Sequence, residues 1–446
     1  MACMSSELSA DLVADALRAG ADAAEAVEAE HQALSITVRH GALEEVEREE
    51  SRDLSLRVFV GRRHATVSGS DVSREGRARL VERAVAMARL APEDPWSGLV
   101  EAEALASGPH PDLNLFDPVD PDPEVLESLA RRAEAAALDM PRIANSDGGS
   151  ASASRSAWRL AASNGFFGEH RATGYHVGAS VIAAEGEGME SGYDGLSRRW
   201  FADLPTPEQV GREAARRAAS RLGARKIAST TAPVIFENRI ATSLLGPLIG
   251  AISGPSVARG VSFLKDRLGQ QVFAPAVTIL DDPHVSKGLG SSPFDDEGAA
   301  NRRTALVDKG VLTTWLQNAA SARQLGMALT GHASRSSAGP AGVGVSNLTL
   351  EAGDRDLAGL MADAGTGLLV TSMFGPSLNP NTGDWSVGCS GFWFEDGAVA
   401  FPVSEITVAG ALPEIYARLV PGADLEMRGA ANSPSLLVDA LSIAGK

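Results

Sequence analysis

A chain of 446 residues, 44% of them apolar, is long enough to bury two or three domain cores of ordinary size. Its formal net charge of −17 repels phosphate backbones, and its most basic runs are only pairs (Arg62-Arg63, Arg131-Arg132, Arg302-Arg303), so no nucleic-acid surface is expected. Two distant cysteines, Cys3 and Cys389, exclude a thiolate zinc cluster within one chain, and neither a leader pattern in residues 1–11 nor an 18-residue apolar run is visible; the expectation is a cytoplasmic protein without membrane spans.

Leu12, Val13, Ala16 and Leu17 form one helical stripe that Gly20 can stop. Residues 33–39 then alternate, with Leu34, Ile36 and Val38 on one face, and His40-Gly41 turns the chain. Leu54, Leu56, Val58 and Val60 repeat that period, and Gly61-Arg62-Arg63 leads back through residues 64–67, so antiparallel strands with one wet face are expected. Residues 74–90 have helical period up to Pro92. Prolines and aspartates crowd residues 91–122, and a further helix opens near Pro123 and runs through Leu138. Residues 158–163, Asn164-Gly165 and the residues from Phe166 onward read as a hairpin, continued by strands at 175–183 and 192–201. Thr206, Pro207, Gln209 and Gly223 punctuate a helix with an N-cap, a Pro at N1, a capping box and a stop.

Residues 226–232 read as a junction, dividing an N-terminal α+β domain (1–226) from a Gly-rich, β-dominated C-terminal domain (227–446). The fold class is thus α+β, an antiparallel sheet with packed helices followed by a tightly turned β-rich half. Residues 234–236 begin a strand, 239–252 are apolar enough for a buried helix, and Gly254-Pro255 breaks it. Near the end, Asn379-Pro380-Asn381-Thr382-Gly383-Asp384 is a turn. Small residues (Gly388, Cys389, Ser390, Gly391) precede Phe392, Trp393 and Phe394, as where one backbone packs closely on another. Glu395-Asp396-Gly397 signals a type I′ hairpin, with strands at 398–401, ended by Pro402, and 403–408.

Three groups of residues could carry chemistry. The eight histidines never fall in a His-Glu-x-x-His pattern, and Glu169-His170 with His176 reads as ordinary strand histidines. Asp281, Asp282 and His284, with Asp295, Asp296 and Glu297, offer oxygen and imidazole ligands for a divalent ion, against the blander reading of a solvated acidic loop. Cys389 and Ser390 could supply a nucleophile, yet Gly388-Cys389-Ser390-Gly391 is one residue short of a nucleophile elbow, and no histidine neighbours it in sequence. Arg239 opens an otherwise apolar helix and suits a substrate or partner carboxylate, or a local salt bridge.

The wording of several segments closely resembles the TldD/PmbA family, on its PmbA (TldE) side. Asn379-Pro380-Asn381-Thr382-Gly383-Asp384-Trp385-Ser386, Gly391 to Gly397 and Phe401 to Gly410 match its closing signature, and Leu56 to Gly61, Ala91 to Leu99, Gly250 to Gly254, Pro293 to Gly298 and Thr330 to Ala333 match earlier motifs. The resemblance implies two α+β domains and a TldD-type catalytic partner carrying zinc on a His-Glu-x-x-x-His helix, acting on unfolded or modified peptides; the family's older label, modulator of DNA gyrase, would be indirect. Here the corresponding strand runs into Glu237-Asn238-Arg239-Ile240-Ala241-Thr242, and a later position expected to hold a cysteine ligand reads Arg428-Gly429-Ala430-Ala431-Asn432. The expectation is therefore no zinc and no catalytic residue in this chain, with Asn238, Arg239, Asp384, Trp385 and Cys389 suggested as lining a substrate chamber. Two alternatives stay open: a stand-alone homodimeric peptide-binding protein, and a hydrolase using Cys389, Ser390 or a metal at the acidic loop.

Overall fold

The structure is a computed structural model that describes residues 8–336 and 339–446. Cys3 and most of the stretch read for a leader lie outside the described residues.

The N-terminal half builds one six-stranded sheet from two similar passes of the chain. The first runs α1 (Leu8–Arg18), β1 (Ala23–Arg39), β2 (Ala42–Val60), β3 (Arg63–Gly69) and α2 (Arg74–Leu90); the second runs α3 (Pro123–Leu138), β4 (Ile143–Ala162), β5 (Phe167–Glu185), β6 (Gly188–Arg198) and α4 (Pro207–Ser220). The order is β3-β2-β1-β4-β5-β6, antiparallel throughout, so β1 and β4 join the two passes at the centre. Leu12, Val13 and Ala16 of α1 and Leu80, Val81, Ala84, Val85 and Ala88 of α2 bury against Leu54, Leu56 and Val58. Val177, Ala179 and Val181 of β5 receive α3 and α4 through Ala133, Ala137, Val210, Ala214 and Ala218. The capping box read at Thr206 and Gln209 is present, with Pro207 in the first turn of α4.

The strands are much longer than their apolar alternation announces. β1 begins ten residues before Ala33, and β2 begins at Ala42, not Leu54. β4 takes in residues 143–157, a Ser-, Ala- and Gly-rich stretch with little intrinsic strand preference, because β5 pairs with it from Ile143 and β1 with its other side from Gly149. The β4–β5 loop is wider than a two-residue turn: Ala162 N donates to Phe166 O, and of Asn164-Gly165 only Gly165 has positive φ.

β7 (Thr230–Phe236) starts the second half. It pairs in parallel with strand Gly367–Leu378 and antiparallel with strand Leu436–Ala444. Gly367–Leu378 continues to Asp384–Glu395 and Ala398–Ala411, and the last pairs back to Leu436–Ala444, so the sheet closes on itself. Its interior holds Val234, Phe236, Val370, Trp385, Val387, Cys389, Ile406 and Val408. The close approach read at Gly391 is real: a Cβ there would lie 1.9 Å from the carbonyl oxygen of Leu369. Asp396 and Gly397 both have positive φ, as a type I′ turn requires.

Two expectations for this half are corrected. Residues 239–252 do not form one helix but short pieces, Asn238–Ala241, Thr242–Leu244 and Leu245–Ala251, the last containing Gly246-Pro247. Pro402 does not end a strand, since Ala398–Ala411 runs through it. The Pro402 carbonyl points outward to accept from Arg225 N, so its nitrogen also faces away from strand Asp384–Glu395 and no ladder bond is lost.

Candidate functional site

The end of β7 is where the sequence led us to look, and the structure brings distant charges to it. Glu237 follows the strand, its N–H donating to Val370 O. Asn238 donates its backbone N–H to Ser435 Oγ (3.1 Å) and its side-chain amide to Asp424 O (2.8 Å), which ties the helix start to the C-terminal loop. Asp424 in turn accepts from Ser435 N and Ser435 Oγ, both at 2.7 Å. These bonds fix the helix start and aim Arg239 toward β6, while Glu237 Oε2 itself is buried without a hydrogen-bond partner.

Arg239 and Arg428 meet on one carboxylate. Asp194 of β6, only 3% exposed, accepts from Arg428 Nη2 at 2.7 Å, and Arg239 Nη2 stands 3.8 Å from the same oxygen. Beside them Arg217 of α4 holds Glu213 at 2.6 Å and stands 3.8 Å from Glu237. Burial raises the carboxyl pKa of both Asp194 and Glu237, and the neighbouring arginines pull each back down. The arrangement joins the N-terminal sheet to the C-terminal half through charge-assisted bonds.

It does not fit zinc. The donor set offers no imidazole or thiolate, and the guanidinium groups of Arg217, Arg239 and Arg428 occupy the neighbourhood with charge that repels a cation. Among the described residues no group of three or more His, Cys, Asp and Glu gathers as metal ligands.

The other suggested residues are dispersed. Asp281 is buried with its Oδ2 at 3.3 Å from His332 Nε2, Asp282 caps the turn through His284 N, and His284 Nε2 bonds Asn301 Oδ1. Asp281, Asp282 and His284 thus have separate partners and no common centre. The solvated acidic loop expected at Asp295, Asp296 and Glu297 is corrected, because these carboxylates organise an interior. Asp295 accepts backbone N–H groups from Glu297, Ala299 and Ala333, Asp296 accepts from Arg335 N, and Glu297 accepts from Ala319 N. Of the chamber residues, Trp385 packs edge-on against Phe236 inside the barrel, and Cys389 is fully buried, its thiol pushed up to about 12. Both are withdrawn as wall residues, and a thiol so protonated makes no nucleophile. Asp384 sits at the exposed turn, accepting from Thr382 Oγ1, and only Asn238 and Arg239 lie together. Sequence reading missed Asp194; its one signal was an acid set among Gly192, Tyr193 and Gly195 in a strand.

A second charged network pins the two halves together. Glu25 of β1 accepts from Arg335 Nη1 at 2.6 Å, while Arg57 of β2 stands 3.6 Å from Glu25 and 3.8 Å from Glu297. Burial and Glu297 push the Asp295 carboxyl up to about 8 despite its three N–H donors, and burial with Glu25 pushes Glu297 up to about 7. Raised pKa values mean that the folded state binds these protons more tightly. Their contribution is complete below the ordinary carboxyl values near 4 and is lost as pH rises through about 7 to 8. The midpoint of urea unfolding should therefore fall between pH 6 and pH 9, and Asp295→Asn should flatten that dependence.

Comparison with known proteins agrees with this architecture. Three family descriptions match in order: PmbA/TldA metallopeptidase domain 1 over residues 10–88, the central domain over 116–222, and the C-terminal domain over 229–445. The chain is 38% identical to the metalloprotease PmbA of Escherichia coli, over 95% of this chain and 93% of that one. The chain belongs to the PmbA/TldD family. A PmbA homologue of Haemophilus influenzae is 35% identical over 96% of this chain and 94% of its own. Among solved structures, a protein of Bacteroides thetaiotaomicron described as a modulator of DNA gyrase superposes with a TM-score of 0.91 at 28% identity, covering 99% of this chain and 98% of that chain. TldE of Thermococcus kodakarensis superposes with a TM-score of 0.87 at 20% identity over 98% and 100%, which shows a shared fold. The first two family regions coincide with the two passes that build the N-terminal sheet.

Proposed function

We propose that this chain is the zinc-free partner subunit of a TldD/TldE-type heteromeric metalloprotease, forming part of the wall around an extended, unfolded or modified peptide while a TldD-type subunit supplies zinc and cleavage. The observation that carries the reading is the convergence of Arg239 and Arg428 on Asp194. These arginines stand at the two stretches where the family resemblance implies metal ligands in the catalytic subunit, and an ion-pair cluster joins them instead. The names of the PmbA relatives, all metalloproteases, support a proteolytic context for a chain whose own donor set does not fit zinc.

A place for the peptide lies next to this cluster. Strand Gly367–Leu378 pairs with β7 only as far as Val370, so among the described residues, residues 371–378 have a strand partner on one side alone, strand Asp384–Glu395. Phe374 and Leu378 are exposed along it. An extended chain can hydrogen-bond to such an edge whatever its sequence, which suits turnover of varied unfolded peptides, including toxins or antitoxins. The test is association: mixed at micromolar concentration with a TldD-type chain, the protein should sediment as a heteromer. Two species sedimenting independently would overturn the partnership.

A further inference from the structure

Among the described residues, the longest unpaired strand edge lies elsewhere, on β2. β1 bonds β2 along its whole length, but β3 covers its other side only over residues 54–60. Residues 42–53 therefore have no strand on their outer side among the described residues, and their backbone groups there are free to pair. This overhang is held in place at both ends. β3 fixes one end, and at the other the His40 and Gly41 N–H groups donate to the buried Glu134 carboxylate of α3, at 2.7 and 2.8 Å. A strand already fixed in the extended form lowers the ordering cost of adding another.

The side chains of the overhang differ by face. Glu45, Glu47 and Glu49 stand in a row opposite Thr37, Ser35 and Ala33 of β1, all three exposed. On the other face a register shift near Thr37 and Val38 brings Leu43 opposite Val38 and Val46 opposite Ile36, both at the tip of the apolar layer under α3. Leu43 and Val46 nevertheless remain 47% and 52% exposed. Charges commonly protect an edge from pairing. Protection alone gives no account of two aliphatic side chains left half-exposed on the opposite face, where a neighbouring strand would cover them. A second copy is excluded as occupant by charge, since residues 42–53 carry six acids against two arginines and would face the same excess.

We infer that residues 42–53 form a docking edge for an extended segment of a partner polypeptide in which basic and aliphatic residues alternate. Its basic side chains lie beside Glu45, Glu47 and Glu49, and its aliphatic ones cover Leu43 and Val46. This site is independent of the peptide edge at residues 371–378.

The test uses the full chain and three fluorescein-labelled heptapeptides: alternating Lys and Val, the same with Glu for Lys, and the Lys peptide N-methylated at alternate residues. By fluorescence anisotropy the Lys peptide should bind at least about tenfold more tightly than the Glu peptide. Glu45→Lys/Glu47→Lys/Glu49→Lys, substitutions at exposed positions, should reverse that order. Equal binding of the Lys and Glu peptides to the unaltered protein would overturn the proposal, as would a Lys peptide indifferent to the triple substitution. Undiminished binding of the N-methylated peptide would also overturn it, by showing charge attraction without strand pairing.

Discussion

Arg335→Ala should destabilise the protein by about 3–5 kcal/mol, the usual result of removing one partner from a buried ion pair. The Arg335 side chain is almost wholly buried, and its guanidinium reaches from the C-terminal half to Glu25 on the N-terminal sheet. Alanine there leaves Glu25 in the interior with only Arg57, 3.6 Å away, for compensation. Most of the loss is the cost of an uncompensated buried charge, not the worth of the pair itself. Arg335→Met with Glu25→Gln, which removes both charges at similar volume, should recover much of the stability. Urea unfolding of the unaltered protein and the two variants gives the comparison, and a loss below about 1 kcal/mol for the single alanine would mean that the pair is effectively solvated.

Local signals made part of this fold legible. The Thr206 capping box, the Asp396-Gly397 turn and the close backbone approach at Gly391 each follow from one residue's conformational or steric property, which tertiary context does not override. Strand lengths were another matter. Residues 42–53 and 143–157 carry charge or small polar groups, and they are extended because neighbouring strands bond them, a cause absent from their own sequence. The same limit explains the site. Glu237-Asn238-Arg239 could be singled out by the absence of histidine, but its partners Asp194, Arg217 and Arg428 come from other elements, and only the fold brings them together. The acidic run at Asp295, Asp296 and Glu297 misled for a related reason. A charge run usually faces water, yet backbone N–H groups and the arginines from two halves stabilise these carboxylates inside.

The second large effect concerns catalysis. If Arg239 and Arg428 occupy the stretches where the catalytic subunit holds its metal, no zinc-dependent hydrolysis can arise from this chain alone, whatever zinc is supplied. Once a TldD-type subunit is added, hydrolysis should rise by orders of magnitude, because a metal-activated water lowers the barrier by several kcal/mol.

The most direct measurement is zinc content by elemental analysis, paired with cleavage of an unstructured peptide, on the protein alone and on its mixture with a TldD-type chain. The account predicts neither zinc nor chelator-sensitive cleavage for the protein alone, and both for the mixture. Stoichiometric zinc with chelator-sensitive cleavage by the isolated protein would contradict it.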